Sequence, residues 1–208
     1  MKKIISIISA LALCATLTAC NKTENDTANE TANDFSGIKL VRWGYTDREV
    51  FDTLEELEWV SDIAVVGTFI EDSVQDLHYH YSEVYGKDII GLVTSDNKIE
   101  ITRVLKGDVE VGDCVKIRQG YAIDEGELIT RSDLTPMIKG DSWIFFLNYT
   151  EGDDDGVYWC TGDSDGRYPV ITVQNQTLAI SEYSELGVYD RKDFKDEIYN
   201  EIIEKYGI

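Results

Sequence analysis

Between residues 98 and 121 the chain reads KIEITRVLKGDVEVGDCVKIRQGY, with apolar and polar residues alternating on both sides of a charged turn at Lys106-Gly107-Asp108. A period of two sends successive side chains to opposite faces of a strand, so this stretch predicts a β-hairpin, with Gly112-Asp113 as a second turn inside it. Ile99 and Ile101 share a face, but the next apolar residue is Val104. A slip of one position within a strand marks a β-bulge or a barrel corner. Val115 and Ile117 restore the alternation and turn Cys114, Lys116 and Arg118 the other way.

The same reading extends along the domain. Residues 37–47, with Leu40, Val41, Trp43 and Tyr45, predict a leading strand. Asp52 as N-cap with Glu55 three residues on, followed by Leu54, Leu57 and Val60 at helical spacing, predicts a short helix over 53–60. Residues 63–70 are apolar on both alternating sets, Ile63, Val65 and Phe69 against Ala64, Val66 and Ile70, which predicts a strand buried on both faces. The acidic, aromatic segment 71–87 shows no clear period. Strands are expected over 89–93 and 99–104, joined by a turn at Ser95-Asp96-Asn97, and over 143–149, 157–160, 168–173 and 177–181, the last two linked through Gln174-Asn175-Gln176. Asp193 is expected to cap a terminal helix whose stripe of Phe194, Ile198, Ile202 and Tyr206 faces a core and which stops at Gly207. The pattern predicts a mainly β (α+β) fold, a small closed or partly closed barrel with a short N-terminal helix and a C-terminal amphipathic one.

Outside this domain the pattern changes twice. The first residues, MKKIISIISALALCATLTAC, carry two lysines, an apolar run from Ile4 to Leu17 and a closing Leu17-Thr18-Ala19-Cys20. A spanning helix needs about 20 apolar residues, so the run has the length of an export signal. Residues 21–36 are a polar tract rich in Asn, Thr, Glu and Ala that cannot bury enough surface to order itself, a tether with a root-mean-square span of about 20 to 25 Å. The expected organisation is therefore a signal peptide over 1–19, an anchored Cys20 with its linker to residue 36, and one barrel domain over 37–208.

The closing Leu-Thr-Ala-Cys resembles the lipobox of bacterial lipoproteins. That resemblance implies diacylglyceryl transfer to the Cys20 thiol, cleavage before Cys20, further acylation of palmitate type, and an extracytoplasmic protein held to the bacterial cell membrane by lipid. Two acyl chains suffice for stable anchoring. Residues 53–67, ITRVLKG at 101–107 and KGDSWIFFL at 139–147 together look like a broad group of exported bacterial proteins, over roughly residues 50–175. More distantly, the strand closing in Val-Leu-Lys-Gly is similar to the OB-like barrel of netrin-module and metalloproteinase-inhibitor domains, which implies an OB-like barrel here. Those domains carry an N-terminal cysteine framework that this chain lacks, so their inhibitory role does not carry over.

Charge narrows the partners. The chain holds 40 acidic and 19 basic residues, a formal charge of −21, and loss of the signal with Lys2 and Lys3 takes it to −23. Such a field repels phosphate backbones, which disfavours nucleic acid and favours basic partners or cations, the competing reading being a solubilising surface.

Candidate chemistry is sparse. With Cys14 removed and Cys20 acylated, Cys114 and Cys160 remain as an even pair in an oxidising compartment, which predicts a disulfide between them, against the alternatives of two free thiols or a catalytic or metal-binding pair. Glu151–Gly156 and Thr161–Gly166 offer oxygens at alternate positions before glycine, so Asp153, Asp155, Asp163 and Asp165 are candidate calcium ligands. Both loops lack the bidentate glutamate of an EF-hand, and the competing reading is a pair of solvated acidic turns. Gly162-Asp163-Ser164-Asp165-Gly166 satisfies G-x-S-x-G, but a strand follows it and no histidine follows Ser164. His78 and His80 could pair on a metal with Asp76 and Glu83, against a reading as surface histidines. No complete catalytic set results. The expectation is a non-enzymatic, membrane-anchored module that binds a protein or small ligand, with a calcium-binding surface protein and a structural spacer as alternatives.

Overall fold

The computed structural model describes residues 38–43, 49–130, 134, 136–149, 156–170 and 192–208, all within one compact unit spanning Thr31–Ile208. Five strands close a barrel: β2 (Ile63–Phe69), β4 (Lys87–Lys106), β5 (Cys114–Gln119), β9 (Val157–Cys160) and β8 (Ser142–Tyr149). Around the ring each pairs with the next, β8 returns to β2, and the β5–β9 pairing alone is parallel. Numbered as barrel strands this is the order 1-2-3-5-4-1, the Greek-key closure of an OB-like barrel. β10 (Arg167–Pro169) adds to β8, and β3 (Val74–Ser82) adds to the N-terminal half of β4. A second, three-stranded sheet runs in the order β1 (Lys39–Arg42), β7 (Glu127–Thr130), β6 (Tyr121–Asp124).

The double-sided burial of β2 has the expected cause. Ile63, Val65 and Phe69 fill the barrel with Ile99, Ile101, Ile117, Trp143, Phe145 and Leu147. Ala64 and Val66 join Ile144, Phe146 and Tyr168 beneath two helices, α1 (Leu54–Val60) and α2 (Lys192–Tyr206). Gly67 makes room inside the ring, since a Cβ there would stand 2.4 Å from Ile99 Cδ1. Leu57 and Ile202 are fully buried between helices and barrel, and truncating either to alanine is expected to cost about 2–5 kcal/mol.

The slip after Ile101 is real and double. Along β2 the partners step from Ala64↔Lys106 to Val65↔Val104 and from Val66↔Arg103 to Gly67↔Ile101, leaving Leu105 and Thr102 as extra residues that coil β4 around the barrel.

Four expectations need correction. Ser95-Asp96-Asn97 is no turn: β4 runs unbroken for 20 residues, about 65 Å of strand, because Asp96 and Asn97 find tertiary partners. Asp96 takes a bidentate pair from Arg118, at 2.6 and 2.9 Å, and Asn97 is bonded inside the barrel. The helix cap is Thr53, not Asp52: Thr53 Oγ1 accepts the Glu56 N–H at 3.2 Å, and the Glu56 carboxylate accepts the Asp52 N–H at 3.0 Å, a capping box displaced by one residue. Asp193 lies within the first turn of α2, and its neighbour Phe194 is exposed, so the buried stripe is Ile198, Tyr199 and Ile202. The segment 71–87 contains β3. The strand expected over 177–181 and its hairpin lie outside the described residues.

Candidate binding surface

The end of the barrel from which β4 projects is closed by a polar layer. Asn97 and Gln119 continue the inward sets of Ile99 and Ile117, and both are buried. Tyr121 donates to Asn97 Oδ1 at 3.0 Å, as does Ser73 Oγ at 2.5 Å. Gln119 Oε1 accepts Arg167 Nη1 at 3.1 Å, and the Arg167 guanidinium lies 4.3 Å over the Trp143 ring. Gln119 Nε2 donates to Cys160 Sγ at 3.4 Å. Burial pushes the Cys160 thiol up to about 12, a trend that Arg167 opposes. A thiol so placed is a packing group, since the nucleophile is the thiolate. The layer seals the core and offers no surface to a ligand.

The predicted bridge between Cys114 and Cys160 is absent. Cys160 is a free, buried thiol, while Cys114 is engaged in another disulfide. The parallel β5–β9 register explains the separation: Arg118 pairs with Trp159, which sets Cys160 beside Gln119, five residues and about 16 Å along β5 from Cys114. A disulfide tolerates Cα atoms only within about 7 Å.

The acidic loops also differ from expectation. Asp153 and Asp155 lie outside the described residues. The second loop is not a solvated turn: Asp163–Gly166 form a short 3-10 helix in which Ser164 and Asp165 are buried. The Ser164 carbonyl accepts Lys195 Nζ from α2, and the chain continues directly into β10. The glycines of G-x-S-x-G have a steric cause. Gly162 has φ +60, and a Cβ on Gly166 would stand 2.6 Å from Thr161 O and 2.7 Å from Phe146 O. Among the described residues no three His, Cys, Asp or Glu side chains converge on a common point. His78 bonds Asp76 at 2.7 Å with both side chains exposed, and His80 lies over Gly91, at whose Cβ position its Nδ1 would be 2.5 Å away. The cleft between α1 and α2 is lined by four glutamates, but Glu58 is consumed by Lys205 and Tyr206.

What stands clear of the core is the ribbon of β3 and the start of β4. Its nine-residue ladder runs from Val74↔Asp96 to Ser82↔Lys87, with a slip beside Gly91. The connection is built locally: Gly86, at φ +62, donates its N–H to Ser82 O at 2.8 Å, and Ser82 Oγ accepts the Tyr85 N–H at 3.4 Å. One face is fastened at its base, where Leu77, Ile90 and Val93 meet Trp43, Ala122 and Ile129 of the second sheet, and Trp43 Nε1 donates to Ile90 O at 2.8 Å. Beyond that contact Tyr79, Tyr81 and Tyr85 are 53, 63 and 69% exposed, with Val84 at the tip 87% exposed. Partial desolvation and the Asp124 carboxylate, 3.4 Å from its hydroxyl, push the Tyr79 phenol up.

This surface carried a faint signal in sequence. Leu77, Tyr79 and Tyr81 alternate with His78 and His80, and Gly86 follows a Ser-Glu-Val-Tyr turn. Both faces of β3 are largely exposed, so the apolar/polar contrast that reveals a half-buried strand is missing. A scan of protein families finds no match to this chain, and a search of curated proteins likewise finds none.

Proposed function

We propose that this chain is a lipid-anchored, extracytoplasmic binding module whose barrel presents the β3–β4 ribbon to a partner, acting by binding and not by turnover. The observation that carries the reading is the row Tyr79, Tyr81, Val84 and Tyr85, four large side chains left exposed together on one projecting ribbon, whereas the other exposed aromatics, Trp59, Tyr149 and Phe194, stand on three separate elements. Tyrosines combine apolar area with a polar tip and low entropy cost, the properties enriched at recognition surfaces. The Leu17-Thr18-Ala19-Cys20 sequence supports the address. Among the described residues no helix is long and apolar enough to cross a membrane.

A photo-reactive phenylalanine at position 85, introduced in intact cells, is expected to yield a discrete cross-linked adduct that the same group at the exposed Val111 does not. Equal adducts, or none, would overturn the binding surface. The anchor is tested by fatty-acid labelling lost in Cys20→Ser. Hydrolysis of an ester, peptide or glycan that Ser164→Ala abolishes would replace binding with catalysis.

A further inference from the structure

We infer that the open edge of β3, Val74–Ser82, accepts an extended, basic segment of another protein as an added antiparallel or parallel strand. The inference rests on the binding-module reading and names its surface and the chemistry of its partner.

β3 pairs with β4 on one side, and among the described residues no strand is paired with the other, β6 meeting β3 through side chains, those of Gln75 and Tyr79 among them. In an antiparallel ladder alternate residues turn both N–H and C=O away from the partner, so roughly half of the β3 backbone presents a ready template. Native sheets guard such edges by shortness, by proline or by lysine. Among the described residues, the edges at β10, β1 and β6 show those guards. β10 is three residues long and ends in Pro169, and β1 is four residues long and begins at the exposed Lys39. β6 is four residues long, and its Ile123 N–H is taken by the Gln75 side chain at 2.6 Å. β3 has none of them: nine residues, no proline, no lysine and no arginine.

Charge selects the occupant. Between Glu71 and Leu92 the chain holds five acidic residues and one lysine, and Asp124 and Glu125 stand on the neighbouring turn beside Tyr79. A second copy would bring the same acidic edge and be repelled, as would a nucleic acid. A strand bearing lysine or arginine would meet Asp76, Glu83 and Asp88, while Tyr79 and Tyr81 offer rings to its alkyl stems and cationic ends. Main-chain bonds would supply affinity and the alternate side chains specificity, as in other strand additions.

The test uses the full chain in detergent and three capped nine-residue peptides: alternating Lys-Val, alternating Glu-Val, and the Lys-Val peptide N-methylated at alternate residues. N-methylation keeps the charge and removes main-chain donors. The Lys-Val peptide is expected to bind, to protect amides within 74–82 from hydrogen exchange, and to weaken at least tenfold on N-methylation and on exchange of Lys for Glu. Equal binding of the N-methylated peptide, equal binding of the Glu-Val peptide, protection elsewhere, or no binding would overturn strand addition. Concentration-dependent dimerisation that protects β3 without peptide would assign the edge to a second copy, which also overturns it. If position 85 still cross-links in cells while the peptides fail, strand addition falls and the binding module stands. If both fail, the module itself falls.

Discussion

Cys160 lies beside Gln119 in the parallel pairing of β5 with β9, its sulfur accepting the Gln119 amide at 3.4 Å. Burial keeps the thiol neutral inside the barrel, against this hydrogen bond, which favours the thiolate, and so sets a pH dependence. Burial raises the folded thiol from an ordinary 9.0 to about 12. Its contribution to stability is therefore complete below pH 9 and is lost as pH rises towards 12. Wild type is expected to lose about 2 kcal/mol near pH 10.5 from this group alone, a slope that Cys160→Ala removes, so the two denaturation curves should converge with rising pH. Parallel slopes would show that the thiol ionises freely in the fold.

Gly166 and Ser164 separate packing from catalysis within one motif. A Cβ on Gly166 meets backbone oxygens of Thr161 and Phe146 that cannot yield as a flexible side chain would. Gly166→Ala should lower stability by more than about 2 kcal/mol in urea denaturation, a cost of overpacking. Ser164→Ala removes a small buried hydroxyl and should cost less. The reverse order would remove the steric account of the motif.

Asp96 and Arg118 hold the centre of the long strand β4 to β5 through a bidentate pair that is about one-quarter exposed. A double-mutant cycle with Asp96→Ala and Arg118→Ala should give a coupling of about 1–2 kcal/mol, weakened by salt but not abolished. A coupling near zero would mean that backbone pairing alone keeps Ser95-Asp96-Asn97 extended.

Tyr81 and Tyr85 contribute surface, not core. Replacing both with serine should leave the thermal midpoint nearly unchanged, since exposed substitutions stay within about 0.5 kcal/mol, while abolishing cross-linking from a probe at Val84. Loss of folding in this variant would make the ribbon a structural element first.

Much of the barrel was legible because its strands are half or wholly buried. The two apolar sets of residues 63–70 separated into barrel interior and helix-covered face as read, the hairpin from Lys98 to Tyr121 formed, and the broken alternation after Ile101 became two bulges. The errors share a cause. Ser95, Asp96 and Asn97 have turn chemistry locally, but Arg118 and Tyr121, more than 20 residues away, satisfy Asp96 and Asn97 better within a strand. The disulfide expectation counted cysteines and could not see strand register. β3 left only a faint signal because neither face carries the contrast that burial imposes.

Charge, the Cys20 motif and the alternation of apolar residues are properties of the chain itself, since each follows from which side chains occur and at what spacing. They determined a mainly β domain with flanking helices and an acidic surface. Which strands close the ring was decided only in three dimensions, because β5–β9 and β8–β2 are contacts between distant segments whose register no local period encodes. The same tertiary closure buried Cys160 away from Cys114, took Ser164 out of reach of solvent, and left β3 as a nine-residue edge with no proline, lysine or arginine.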